Sequence, residues 1–213
     1  MRLEIEDGVT ETADHWWWRP GWRPGRRMVT LHVTVPFEAE LHDLARRSAP
    51  VLEGLGAFDP VPVHGLHLTM TGVGFTDELT AGQAEKVWEE VLGSLADLEP
   101  APIVLDRFFL GSGGVMLSGP PMPWLQEFCQ AQRAAVDRMR GSSEDRGPFH
   151  PHISLAYANA PMPMGQVAAA LAPIAEQTPP IILHRPVLTM MRLGRDTHEY
   201  AWDVLAEQEL LPT

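Results

Sequence analysis

His67-Leu68-Thr69-Met70 and, later in the chain, His152-Ile153-Ser154-Leu155 repeat one order: histidine, apolar residue, hydroxyl residue, apolar residue. Side chains on a strand alternate faces, so each histidine shares a face with the hydroxyl two places on. Each copy therefore offers an imidazole beside a hydroxyl. Two imidazoles converging from two strands would supply one base, one acid and hydroxyl donors for phosphate oxygens, which is what phosphodiester cleavage without a metal needs. A third copy, His32-Val33-Thr34-Val35, stands upstream, so context has to choose the pair.

Working outward, Met28 to Val35 alternates and is rich in β-branched residues, which predicts a strand stopped by Pro36. Glu38 to about Leu55 keeps helical spacing, and Val63 to Phe75 is the strand of the first motif. Thr76 is expected to cap a helix running to about Leu98. Ile103 to Leu110 and Val115 to Ser118 predict a hairpin across Gly111-Ser112-Gly113-Gly114, where no Lys-Ser or Lys-Thr follows to make a phosphate loop. Pro123 opens a helix that ends at Gly141, residues 141–147 predict a loop, and Phe149 to Tyr157 is the strand of the second motif. A helix from about Met164 to Gln177 and strands over Ile181 to Leu193 and Glu199 to Ala206 complete the order β-α-β-α-β-β-α-β-α-β-β. Helices and hairpins together predict an α+β fold, bilobal, with two pseudo-symmetric antiparallel sheets backed by helices around a central cleft.

The chain of 213 residues carries a formal net charge of −12. That excludes a broad electrostatic footprint for duplex DNA, and a local cluster must meet any anionic substrate. No stretch is apolar for long enough to span a bilayer, and the acidic start lacks the basic flank of a signal peptide, so a cytoplasmic protein with no membrane partner is expected. The single cysteine, Cys129, falls in a helical apolar pattern and is read as core.

Residues 1–27 show no clear periodicity and contain Trp-Arg-Pro-Gly twice, at 18–21 and 22–25. Pro and Gly forbid a regular helix, so an extended, Trp/Arg-rich N-terminal arm is expected ahead of a body spanning 28–213. Either the arm packs its indoles onto the body or onto a second copy, giving a homodimer, or its Trp faces and Arg forks hold a base and its phosphate. In the second case Trp18, Trp22 and Arg23 are candidate substrate contacts.

His67-Leu68-Thr69-Met70-Thr71-Gly72-Val73-Gly74 and Pro151-His152-Ile153-Ser154-Leu155-Ala156 resemble the two motifs of the 2H phosphoesterase superfamily, the cyclic phosphodiesterase and 2′,5′ RNA ligase-like proteins. The similarity covers about Met28 to Ala206. It implies two lobes flanking a cleft, His67 and His152 as acid and base, and Thr69 and Ser154 as holders of phosphate oxygens, with no cofactor. It also implies a nucleotide or short single-stranded RNA end as substrate, cut at a 2′,3′-cyclic phosphate or 2′,5′-phosphodiester. His32 has no counterpart in the family's general pattern; with Thr34 it could still face the cleft. His150 shares parity with His152, and Tyr157, Arg195 and Tyr200 lie near strand ends where such proteins often contact substrate.

Two rival readings remain at this level. His32, His67 and His152 converging would make a three-histidine metal hydrolase, although the neighbouring hydroxyls are then unexplained. Alternatively, the cleft holds a nucleotide or RNA end without turnover.

Overall fold

The computed structural model describes residues 1–143 and 146–211, so Glu144 and Asp145 of the predicted loop lie outside the described residues. In chain order the elements are β1 (Arg2–Ile5), β2 (Met28–Thr34), α1 (Ala39–Gly54), β3 (Phe58–Pro60), β4 (His67–Phe75), α2 (Ala81–Ala96), β5 (Ile103–Leu105), β6 (Arg107–Gly111), β7 (Gly114–Ser118), α3 (Pro123–Arg140), β8 (His152–Ala158), α4 (Met164–Gln177), β9 (Ile181–Leu183), β10 (Val187–Gly194) and β11 (Ala201–Glu209). The fold is α+β, as the mixture of helices and hairpins predicts.

Strands β1-β6-β7-β8-β4-β2-β10-β11 lie side by side in one large sheet, with β3 also against β8, while β5 and β9 form a separate pair. Pairing is antiparallel except between β1 and β6. The two motif strands, β4 and β8, are neighbours joined through one register pair, Leu68 opposite Ile153, among the described residues. That seam divides the sheet into two halves, each carrying one motif. Leu68 and Ile153 are fully buried, whereas Thr69 on the opposite face is exposed. The alternation of the motif thus separates a core side from a polar side.

Helices cover the core side. Leu125, Phe128, Cys129, Gln132, Ala135 and Val136 of α3 are buried at helical spacing, and the Cys129 thiol donates to the Met70 carbonyl of β4 at 3.5 Å. Helix α3 starts with Pro at its first position and stops at Gly141, whose φ of +68° supplies the left-handed turn that favours glycine. Helix α2 starts later than expected. Thr80, not Thr76, caps it through a reciprocal pair with Gln83, and the Thr76 hydroxyl bonds the Arg27 carbonyl instead.

Two long predicted strands break. Asp106 separates β5 from β6, and His184-Arg185-Pro186 separates β9 from β10. Proline offers no N–H to a ladder, so β9 leaves the large sheet and pairs with β5. At the tip of the β6–β7 hairpin, Gly114 has φ +152°, and a Cβ there would lie 2.2 Å from the Ala156 carbonyl oxygen of β8. Only glycine lets this turn lie so close to the strand of the second motif.

Residues 1–27 lie along their own chain. Strand β1 extends the sheet edge beside β6, and the backbone N–H groups of Ala13 and His15 donate to the Ser112 and Ala158 carbonyls at 2.8 Å each. Trp16 is 6% exposed and its indole N–H donates to Asp59 at 2.8 Å. Trp22 meets Phe75 edge-on with centroids 5.3 Å apart. Among the described residues no helix is long and apolar enough to cross a membrane.

Candidate active site

A cavity of about 440 Å³ opens on the polar side of the seam, lined by His67, Thr69, His152 and Ser154. Leu68 and Ile153 face each other in an antiparallel register, so His67 falls across from Ser154 and Thr69 across from His152. Each imidazole therefore has a hydroxyl beside it on its own strand and another across the seam.

Both imidazoles are held alike. The His67 Nδ1–H donates to the Gly65 carbonyl at 2.7 Å, and the His152 Nδ1–H donates to the His150 carbonyl at 2.8 Å. A carbonyl can only accept, so each Nδ1 carries the proton and Nε2 is the nitrogen left for the cavity. Burial pushes the His67 pKa from its usual 6.5 down to about 4, with the Gly65 hydrogen bond opposing and His152 adding to the fall. Burial also lowers the His152 pKa, against the support of the His150 carbonyl. At neutral pH both rings are uncharged, and each Nε2 presents a lone pair.

His32, on β2 beside β4, lies with its ring centroid 4.6 Å from that of His67. It is 2% exposed, lines the same cavity, and neither ring nitrogen has a hydrogen-bond partner among the described residues. Burial holds its pKa well below the usual value. Among the described residues no group of three or more His, Cys, Asp or Glu is placed to hold a metal ion.

Tyr157, Trp22, Arg195 and Tyr200 also line the cavity. Four other sequence candidates do not. Thr34 bonds the Thr189 hydroxyl at 2.8 Å and faces a separate pocket beside His42 and Trp202, because two residues along a strand carry it about 7 Å beyond His32. The His150 side chain is exposed and lies in another surface pocket, so its carbonyl alone serves the site. Trp18 is 44% exposed and outside the cavity lining. Arg23 pairs with Asp77 at 3.0 Å on the surface.

Sequence reasoning missed polar lining residues, Glu6, His15, Arg19 and Thr30 among them. His15 stacks on Tyr157 with centroids 4.2 Å apart and shares a hydrogen bond of 2.9 Å with the Tyr200 hydroxyl. Burial first, then the charges of Arg19 and Arg195, push its pKa down to about 3. The signal for His15 was thin: it adjoins the tryptophan run of the N-terminal segment, but nothing local shows that this segment folds over the seam.

Comparison with known proteins places the fold and the family. A sequence profile described as the 2'-5' RNA ligase superfamily matches residues 36–196. Escherichia coli LigT complexed with 3'-AMP superposes with a TM-score of 0.60 at 18% identity, covering 88% of this chain and 99% of that one. A protein of Thermus thermophilus, TT0787, gives 0.58 at 20% identity, covering 86% and 98%. A crystal structure described as a phosphoesterase gives 0.58 at 17% identity, covering 88% and 99%. No curated protein matches significantly in sequence. At these identities the structures speak for the fold, while the profile spans both motif strands, and on that match the chain belongs to the 2'-5' RNA ligase superfamily of 2H phosphoesterases.

Proposed function

We propose that the protein hydrolyses a 2′,3′-cyclic phosphate or a 2′,5′-phosphodiester of a nucleotide or short RNA end, without a metal, by acid and base catalysis from His67 and His152. The observation that carries this reading is the matched pair of imidazoles, each anchored through Nδ1 to a carbonyl two residues upstream and each lining one cavity with Thr69 and Ser154. In hydrolysis one Nε2 takes the proton of water as its oxygen attacks phosphorus. The other Nε2–H gives its proton to the departing ribose oxygen. Thr69 and Ser154 donate to the phosphoryl oxygens as charge gathers there. Both rings are neutral in the free protein, so the acid takes up its proton when the phosphate anion arrives and favours the charged ring. LigT, a neighbour in fold, holds 3'-AMP in one of its structures, a ligand of the size and chemistry this cavity would take. The buried free thiol of Cys129 suits a reducing cytoplasm.

The test is a panel of nucleoside 2′,3′-cyclic phosphates and 2′,5′-linked dinucleotides incubated with the protein and with the His67→Ala and His152→Ala variants. Products resolved by chromatography should appear with the parent protein and about 10²–10⁴-fold more slowly with either variant. Ligand binding without any product over hours would replace this reading with a binding module.

A further inference from the structure

Arg195 follows β10 and is 3% exposed. Its Nη2 donates to the His15 carbonyl at 2.8 Å, while Nε and Nη1 have no hydrogen-bond partner among the described residues. A buried guanidinium with two donors unused is costly unless an acceptor arrives. The neighbouring carboxylate, Asp196, is engaged elsewhere, by the Gly25 N–H at 2.7 Å and by Arg27 at 3.6 Å. Arg19, half-buried, lines the same cavity and forms no ion pair among the described residues. Neither guanidinium forms an ion pair among the described residues, although the Asp14 carboxylate, which accepts from the Trp16 backbone N–H at 2.8 Å, acts on Arg195 from a distance. Burial lowers the Arg195 pKa; Tyr200, Asp14 and Tyr157 oppose the fall and the charge of Arg19 adds to it.

The wall that carries Arg195 meets the motif residues through Tyr200. The Arg195 guanidinium carbon lies 5.5 Å from the Trp16 ring centroid and 5.9 Å from those of Trp22 and Tyr200. His67 meets Tyr200 too, edge-on, with centroids 5.8 Å apart. His15 feels the charges of Arg19, Arg195, His152 and His67, whereas neither arginine is among the influences on His67 or His152. The cavity carboxylate of Glu6 lies at the Gly111 turn, where a Cβ on Gly111 would come within 2.9 Å of its Oε2, and forms no ion pair with either arginine among the described residues. The cavity therefore combines neutral imidazoles and hydroxyls with two positive forks, one of them, Arg195, beside the indoles of Trp16 and Trp22.

We infer that Arg19 and Arg195 form a second phosphate subsite, so that the ligand is a nucleotide or RNA end bearing, besides the phosphorus that reacts, a further phosphate such as one at the 5′ position. The subsite rests on the proposed function only for the assignment of the reacting phosphorus to His67 and His152. Guanidinium forks suit it because they bond phosphate oxygens two at a time and keep their charge at any working pH. Nucleotides lacking that second phosphate leave the buried donors of Arg195 unmatched.

The test is calorimetric binding of adenosine 3′-phosphate and adenosine 3′,5′-bisphosphate at fixed salt to the full chain and to its Arg19→Gln, Arg195→Gln and His67→Ala variants. The bisphosphate should bind at least about tenfold tighter to the parent, a margin ordinary for a charge-assisted contact. Arg19→Gln and Arg195→Gln should each bring the ratio towards one, and His67→Ala should preserve it. Should thermal melts show Arg195→Gln unfolded, Arg19→Gln decides alone. Equal affinities, no binding of either ligand, or a ratio unchanged in the arginine variants overturns the subsite. A preserved bisphosphate preference in a protein that hydrolyses no cyclic phosphate upholds the subsite and removes the catalytic reading instead.

Discussion

Leu68 and Ile153 face each other across the join between the two halves of the sheet, both fully buried, and their register sets His67 opposite Ser154 and His152 opposite Thr69. The two imidazoles and their hydroxyl neighbours are thus spaced by a hydrophobic contact on the reverse side of the same strands. Removing the Leu68 side chain should cost about 2–5 kcal/mol of stability through the cavity it leaves. Activity of Leu68→Ala should fall even where denaturant curves show the variant fully folded, because the seam loses its spacer. Undiminished turnover in the folded variant would show that the seam does not set the geometry.

His67→Ala and His152→Ala should each lose about 10²–10⁴ in kcat, the usual worth of a positioned acid or base. Acid and base act in one step, so the double variant should fall little below the worse single one. Initial rates on the preferred cyclic phosphate, with melting curves to confirm folding, measure this.

Stability should decline in mild acid. His15, His32, His67 and His152 all have pKa values below the usual 6.5, burial being the first cause in each. Between 6.5 and the depressed folded values the unfolded chain binds protons that the folded chain refuses, so the stabilisation is complete above about 6.5 and drains away as pH falls. For His67 the fall continues to about pH 4 and for His15 to about pH 3. Melting temperatures from pH 7.5 to 4 should show it, and His32→Leu, which removes a ring with no hydrogen-bond partner among the described residues, should flatten the slope. An equal slope in parent and variant would falsify the account of His32.

Trp22 and Trp18 should behave oppositely. Trp22 lines the cavity and Trp18 does not, so Trp22→Ala should raise KM by an amount consistent with about 1–3 kcal/mol of base stacking, and Trp18→Ala should leave it unchanged. Trp16→Ala should act on stability, costing about 3–5 kcal/mol for a buried aromatic, because its indole is buried and bonded to Asp59. Steady-state kinetics and chemical denaturation of the three variants separate these effects.

Turnover should survive strong chelation. The three imidazoles of His32, His67 and His152 do not form a metal-binding group among the described residues, so activity after dialysis against chelator should equal that before, with no gain on adding zinc. A loss restored by zinc would bring back the metal-hydrolase reading.

Strand alternation was legible because its cause is local: β2, β4, β7 and β8 each carry enough β-branched and apolar residues to declare a face. Glycine and proline marked both ends of α3 for the same reason. Strand β1 was not legible, since Arg2–Ile5 is four residues long and pairs in parallel with β6, more than a hundred residues away; its existence is a tertiary fact. The motif residues were readable as a repeat, but the carbonyls of Gly65 and His150 that orient their rings leave no trace in side-chain chemistry. Thr34 misled by parity: alternation gives the face and says nothing of how far along the strand a cavity ends. His15 and Arg19 escaped for a related reason, because their place depends on where a segment without periodicity comes to rest.

That resting place shapes how such proteins could diversify. His15, Arg19 and Trp22 lie ahead of the profile match at 36–196 yet share a cavity with His67 and His152. On the proposed function, part of the ligand contact would then be written ahead of the stretch that carries the proton-transfer pair, with Arg195 contributing from within it, and a chimera carrying another relative's leading segment on this body should change its nucleotide preference while His67 and His152 stay untouched.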